Sequence, residues 1–385
     1  MPLSSRTLAL ELPRSLNFGA GCADDSVRYL VERRFQSVFL VTSPPLSAAC
    51  DPLVQRLEQA GCRVTRWADI TKEPVAADVD TALNIARDVR ADVVVGVGGG
   101  SVMDVAKLAA ALLSGAQSLN DVFGINLLAP RTTGLVCLPT TSGTGSEVSP
   151  IAILRDPRDG LKKGVISPHL VPDAAFVDPL LTLGMPPAVT AATGIDALTH
   201  CIEAFANRRS HPLVDAWAIE GMRRIARSLP RAVRDGGDVD ARSDVALGSL
   251  LGGLCLGPVN TAAVHALSYP LGSDFDIAHG VSNAVLLPHV IEFNLPAATP
   301  RYAQVALALG VQQLETDLEL AQAGVRFLHE LNAACGIPPH MEQLGVPLAA
   351  IDRMAASAMT VQRLLASNPR EVGEQDARDI YRRAF

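Results

Sequence analysis

Aromatic residues are scarce in this chain: Phe, Trp and Tyr together supply 4% of 385 residues. Its core must therefore rest on Ala, Val and Leu, within a hydrophobic content of 48% that is ordinary for a folded protein. Excess positive charge is also missing. A formal net charge of -7 argues against a broad nucleic-acid or anionic-membrane surface. No apolar run is long enough to cross a bilayer. The stretch up to Gly21, broken by Arg6, Glu11 and Arg14, lacks a signal-peptide core, so a cytoplasmic address is expected. Cysteine pairing is absent too. Cys22, Cys50, Cys62, Cys137, Cys201, Cys255 and Cys335 are scattered, odd in number and free of any Cys-x-x-Cys, which argues against a disulfide framework or thiolate knuckle. Cys201 adjoins a proposed ligand, but on a helix it points about 100° away from His200 and reads as a small filler. Neither internal repeats nor low-complexity tracts occur.

The length implies two domains. In the first half, β-rich runs (Ser37 to Val41, Arg63 to Trp67, Asp92 to Val97, Leu135 to Leu138) alternate with helical stretches (Leu53 to Ala60, Asp78 to Val89, Ser101 to Ser114). That alternation predicts a parallel sheet covered on both faces, a Rossmann-like α/β domain. Ile151 to Leu154 and Gly164 to Ser167 bracket a turn-rich segment, Arg155 to Gly160, that reads as a hairpin. The pattern changes at Met185-Pro186-Pro187, a proline pair suited to a helix start. Helical periods then cover Ala188 to Asn207, Pro212 to Ser228, Ala241 to Cys255, Val281 to Asn294 and Thr316 to Ala334. The expected domains are 1–185, binding a dinucleotide, and 186–385, all-helical and metal-binding.

Asp196-Ala-Leu-Thr-His200 places a carboxylate and an imidazole on one helix face, and its neighbours are too apolar for a solvated surface. A buried Asp needs a cation or several donors. With His265 and His279 the set offers three nitrogens and one oxygen, suited to Fe(II) or Zn(II). Of the remaining histidines, His169, His211, His329 and His340 read as surface or packing residues, and His289 as a wall residue near the site. Gly98-Gly99-Gly100-Ser101 follows an apolar strand, where glycines admit a pyrophosphate to a helix N-terminus. The competing explanation is a Ser101/Asp104 capping box. A second loop, Pro139 to Glu147, concentrates hydroxyls and glycines after the next strand, as a cofactor crevice would.

Gly98-Gly-Gly-Ser-x-x-Asp104-x-x-Lys107, Pro139-Thr-Thr-x-Gly-Thr-Gly-Ser-Glu147, Asp196-Ala-x-x-His200, His265-Ala-Leu and His279-Gly280 together resemble the iron-containing (group III) alcohol dehydrogenases, in order and over nearly the whole chain. The resemblance implies a dehydroquinate synthase-like architecture with the active site in an interdomain cleft. It also implies metal-dependent, NAD(P)-linked interconversion of a small alcohol and its aldehyde or ketone, in a homodimer or higher oligomer. By motif, Asp196, His200, His265 and His279 correspond to the metal ligands, and Gly98, Gly99, Gly100, Ser101 and Asp104 to the pyrophosphate loop. Thr140, Thr141 and Thr144 match nicotinamide-side contacts, Lys162 a cofactor-side lysine and Leu181 an apolar cofactor contact.

Two positions depart from the family pattern. Where relatives often carry a second histidine four after the third ligand, this chain has Tyr269, which with His265 forms the candidate catalytic pair. An unperturbed Tyr titrates near 10, so it is a hydrogen-bond donor or a pocket wall rather than a neutral-pH relay. Ser43 stands where many relatives place an Asp that repels a 2′-phosphate. NADP is then admissible, although no Lys or Arg lies between Thr42 and Ala49 to attract it. Two rival functions are a lyase or cyclase like dehydroquinate synthase, using nicotinamide transiently, and a non-catalytic metal- or nucleotide-binding protein.

Overall fold

Residues 7–113, 115–156 and 162–385 are described by a computed structural model. The described chain divides into two compact units, one of Glu11–Gly184 and one of Met185–Phe385 with residues 7–10. Leu8 belongs to the helical unit because it packs against that unit's core.

Nine strands occur among the described residues of the first unit: β1 (Ser15–Phe18), β2 (Ser37–Val41), β3 (Arg63–Trp67), β4 (Val93–Gly98), β5 (Gly124–Ile125), β6 (Gly134–Pro139), β7 (Ile151–Arg155), β8 (Lys162–Ile166) and β9 (Ala174–Val177). Six form a sheet in the order β1-β9-β6-β4-β2-β3 with every pairing parallel. Helices α1 (Asp25–Glu32), α2 (Asp51–Gln59), α3 (Ala76–Asp88) and α4 (Gly100–Leu113) cover it. Side-chain alternation decides which face each residue serves. Val38, Leu40, Val93, Val95 and Val97 pack with Leu30, Leu53 and Leu57 of α1 and α2. Phe39, Val41 and Val94 pack with Val79, Ala82 and the Ala-rich α4 on the other face. Both faces are apolar, as a buried parallel sheet requires.

Strand β2 leads through α2 to β3 on one side, whereas β4 pairs on the opposite side of β2. The reversal of strand order thus lies between β2 and β4, and open α/β sheets bind ligands beyond such a point. A smaller sheet, β5-β8-β7, contains the expected antiparallel pair β7/β8. The predicted turn joining them falls largely outside the described residues.

The helical unit comprises α5 (Pro187–Ala206), α6 (Pro212–Arg234), α7 (Val239–Leu256), α8 (Ala263–Phe275), α9 (His279–Leu309), α10 (Asp317–Ala334), α11 (Ile351–Ala358), α12 (Gln362–Leu365) and α13 (Glu374–Ala384). Small residues let its helices approach closely. A Cβ on Gly221 would lie 2.6 Å from Cys201 Sγ, and one on Gly248 2.4 Å from Ile225 Cγ1. Cys201 is fully buried in this seam, a filler as expected, and desolvation pushes its thiol up to about 12. The helix read as ending near Asn294 runs on to Leu309 with a break at Ala298, where φ is -146°. Pro296 and Pro300 flank the break, and Pro300 cannot donate the hydrogen bond that would keep it closed.

Candidate metal centre and dinucleotide loop

Three helices of the second unit supply the cage. Asp196 and His200 lie one turn apart on α5, His265 in the first turn of α8, and His279 at the first position of α9. The Asp196 Oδ1 atom is 3.5 Å from His265 Nε2, 3.7 Å from His279 Nε2 and 3.8 Å from His200 Nε2. Metal–donor bonds of about 2.0–2.2 Å in a four-coordinate cage separate donors by roughly 3.3–3.6 Å. The contact with His265 falls inside that range and those with His279 and His200 lie just beyond it, a spacing close to what one ion needs. Ligand atoms of Asp196, His265 and His279 all lie within 4.8 Å of one another. His200 stands outside that close group, but its ring stacks on that of His265 at 4.8 Å, which brings the third imidazole alongside.

Gly280 explains how α5 and α9 come so close. A Cβ there would sit 2.0 Å from the Ala192 carbonyl oxygen, so backbone meets backbone one turn before Asp196. Side chains of Asp196, His200 and His265 are almost fully buried, but that of His279 is 27% exposed, which marks the open side of the cage. Tyr269 stands on that side, half-buried, its ring 5.9 Å from that of His279.

Electrostatics agree with a cation site. Burial alone would raise the Asp196 carboxyl, but the imidazoles of His200, His279 and His265 outweigh it and hold the group far below the usual carboxylate range. Burial would lower His265, yet Glu203 and Asp196 push it up to about 9, so an arriving cation must displace a proton.

Two participants were missed in the sequence. Glu203, on α5, holds His265 Nδ1 at 2.6 Å. Asn283, one turn along α9 from His279, donates from Nδ2 to Asp196 Oδ1 at 2.7 Å and brings the same atom within 3.3 Å of both His265 Nε2 and His279 Nε2. One amide NH2 has two hydrogens and cannot satisfy all three atoms, and the Asn283 Oδ1 atom is buried without a partner. The spacing Glu203, three after His200, and Asn283, four after His279, was readable as two more polar groups on the ligand-bearing faces. His289 lies elsewhere: its ring packs edge-on against His329 at 5.4 Å, and burial followed by repulsion from His329 depresses it to about 4.

In the sheet unit the glycine run spans the end of β4 and the start of α4, while Ser43 follows β2, so both flank the reversal point. Thr42 Oγ1 donates to Val97 O at 2.7 Å, joining the two strand ends. The glycines are also demanded by packing. A Cβ on Gly100 would meet Thr144 Cγ2 at 2.6 Å, and one on Gly99 would meet Thr141 Cγ2 at 3.3 Å. The two loops are thus in contact. Thr140 continues the ladder, its N–H donating to Gly98 O at 3.0 Å, and Ser101 is half-buried in the first turn of α4.

Asp104 forms no capping box: its carboxylate accepts from Ser146 Oγ at 2.6 Å and from Ile153 N at 2.8 Å, pinning the second loop to α4. Lys107, fully buried, does the same through Ser146 O and Ser149 O, each at 2.9 Å. Lys162 is ion-paired with Glu73, and Leu181 packs at the edge of the core beneath α1 and α2.

Two family models together span almost the entire chain: iron-containing alcohol dehydrogenase over residues 13–179 and the C-terminal part of the same family over 190–385. A long-chain-alcohol dehydrogenase of Geobacillus thermodenitrificans is 40% identical over 381 residues, covering 97% of this chain and 95% of its own. A crystal structure of 1,3-propanediol oxidoreductase superposes with a TM-score of 0.95 at 33% identity, covering 99% of this chain and all of that one. The sulfoacetaldehyde reductase of Bifidobacterium kashiwanohense, solved with NAD+, gives 0.89 at 27% identity, covering 99% of each chain. The chain belongs to the iron-containing alcohol dehydrogenase family. It is accordingly a metal-dependent, nicotinamide-linked oxidoreductase of alcohols and carbonyl compounds, and the lyase or cyclase alternative is not favoured. No helix among the described residues is long and apolar enough to cross a membrane.

Proposed function

We propose that this chain interconverts small aliphatic alcohols with their aldehydes or ketones. The observation that carries the reading is that the Nε2 atoms of His200, His265 and His279 each lie 3.5–3.8 Å from Asp196 Oδ1. When bound there, iron (or zinc) supplies Lewis acidity toward the substrate oxygen, and a nicotinamide dinucleotide gives or takes hydride.

The chain's own residues do the rest. Asp196 contributes the compensating negative charge in a site where an isolated cation would be costly. His265 and His279 approach it from α8 and α9, and the exposed edge of His279 with Tyr269 is where a small oxygen-bearing molecule has access. Tyr269 serves there as a hydrogen-bond donor or wall. On the other unit, Gly98 to Ser101 would receive the pyrophosphate at the α4 N-terminus, while Thr140, Thr141 and Thr144 face the nicotinamide side. Asp104 and Lys107 support that loop from behind. Lys162 would reach a cofactor only by exchanging Glu73, and Leu181 adds an apolar contact.

Relatives named for long-chain alcohols, 1,3-propanediol and sulfoacetaldehyde support a primary alcohol or aldehyde without choosing among them. Ser43, which carries no charge, supports use of NADP beside NAD. A cytoplasmic homodimer or higher oligomer is part of the same reading. The test is a panel of alcohols and aldehydes on iron- and zinc-loaded protein with both dinucleotides. A sustained absorbance change of the nicotinamide with at least one short substrate is expected. No net change with any of them would refute hydride transfer as the overall reaction.

A further inference from the structure

Glu203 sits on α5 one turn beyond His200, and its residue is 5% exposed among Ile202, Ala206, Val264, Leu287 and Val290. A carboxylate so enclosed must find donors. It has two. Its Oε1 accepts from the Val264 N–H at 2.6 Å, and its Oε2 lies 2.6 Å from His265 Nδ1. Val264 is in the first turn of α8, where backbone N–H groups have no acceptor within the helix. One carboxylate therefore caps α8 and grips the imidazole that the same turn carries.

The consequence concerns the other ring nitrogen. An imidazole whose Nδ1–H is committed to a carboxylate presents the Nε2 lone pair outward, and the partner also raises its basicity. The Nε2 atom is the one that faces Asp196 Oδ1 at 3.5 Å. We propose that Glu203 is a positioning residue of the metal centre: it fixes the orientation and tautomer in which His265 offers Nε2 to the ion. This rests on the metal reading above.

Glu203→Gln separates this role from simple capping. A Gln side chain keeps the length and can still accept from Val264 N–H, but it then turns its NH2 toward His265 Nδ1, favouring the proton on Nε2. The zinc-loaded wild-type protein, E203Q and E203A would be challenged with a chelator, with zinc release followed by an indicator dye. Melting of the metal-free proteins and the imidazole 15N–1H spectrum would be recorded alongside. Removing such partners elsewhere weakens metal binding about 10–100-fold.

Zinc release at least tenfold faster in E203Q, with a metal-free melt close to wild type, supports the inference. E203Q releasing zinc within twofold of wild type overturns it, even if E203A is destabilised, because capping alone then explains the contact. Should neither variant fold, the wild-type spectrum decides: a His265 proton on Nδ1 in the zinc form supports the inference, and one on Nε2 overturns it. An unmutated chain that retains no divalent ion would sink the metal reading itself, and this inference with it.

Discussion

In the sheet unit, the atoms proposed to meet a ligand are mostly backbone and hydroxyl groups of two contiguous loops. In the helical unit they are four charged or basic side chains gathered from three helices. The first arrangement depends on what is absent: Gly100 must lack a Cβ for its loop to lie against Thr144. The second depends on what is present and on how it is held, as the Glu203 and Asn283 contacts show. A loop of backbone donors tolerates a change of side chain but not of shape. A cage of side chains tolerates neither the loss of a ligand nor a shift of its helix.

Substitutions that damage one unit should spare the other. His265→Ala removes a ligand and leaves the sheet unit untouched. Metal content should fall to background and turnover should vanish, while dinucleotide affinity by calorimetry stays within about twofold of wild type. Full turnover in a metal-free preparation of that variant would refute the assignment. Gly100→Val is the mirror case. Its branched side chain would collide with Thr144, and overpacking of about 1–3 kcal/mol should weaken dinucleotide binding about tenfold to a hundredfold with metal content unchanged. Equal loss of metal in that variant would end the separation of tasks.

A smaller effect tests the support behind the second loop. Glu147 is buried, and desolvation pushes it from 4.5 up to about 7. The folded state therefore keeps its proton where the unfolded state has lost it. Stability linked to this group is complete below 4.5 and is lost as pH rises through about 7. Glu147→Gln, neutral at every pH, should gain about 2 kcal/mol over wild type at pH 8 relative to pH 5 in urea unfolding. A pH-independent difference would count against it. Ser43→Asp should have the mildest consequence, moving the NADP-to-NAD ratio of kcat/KM toward NAD by about tenfold through repulsion of a 2′-phosphate.

What was legible in the sequence follows the same contrast. The strands Ser37–Val41 and Arg63–Trp67 match their β-rich runs residue for residue: the first is buried throughout, and the second, at the sheet edge, still carries β-formers such as Val64, Thr65 and Trp67. The four proposed ligands stand out because buried imidazoles and carboxylates are costly and so conspicuous. Glu203 and Asn283 did not stand out, since a lone polar residue on a helix reveals its partner only when another helix arrives. Helix α8 was hidden by Tyr269-Pro270, which reads as a stop although Pro270 is tolerated inside it. The Ser101/Asp104 pair had capping-box spacing, but Ser146 and Ile153 compete more successfully for the carboxylate.

Gly280 has a consequence for how this protein can drift. Because the start of α9 rests directly on the main chain at Ala192, the width of the cage is gauged by peptide groups and not by any interchangeable side chain. The alanines and leucines around it can be swapped generation after generation while the grip on the ion keeps its calibre. A single added methyl group at that one spot would pry the jaws apart.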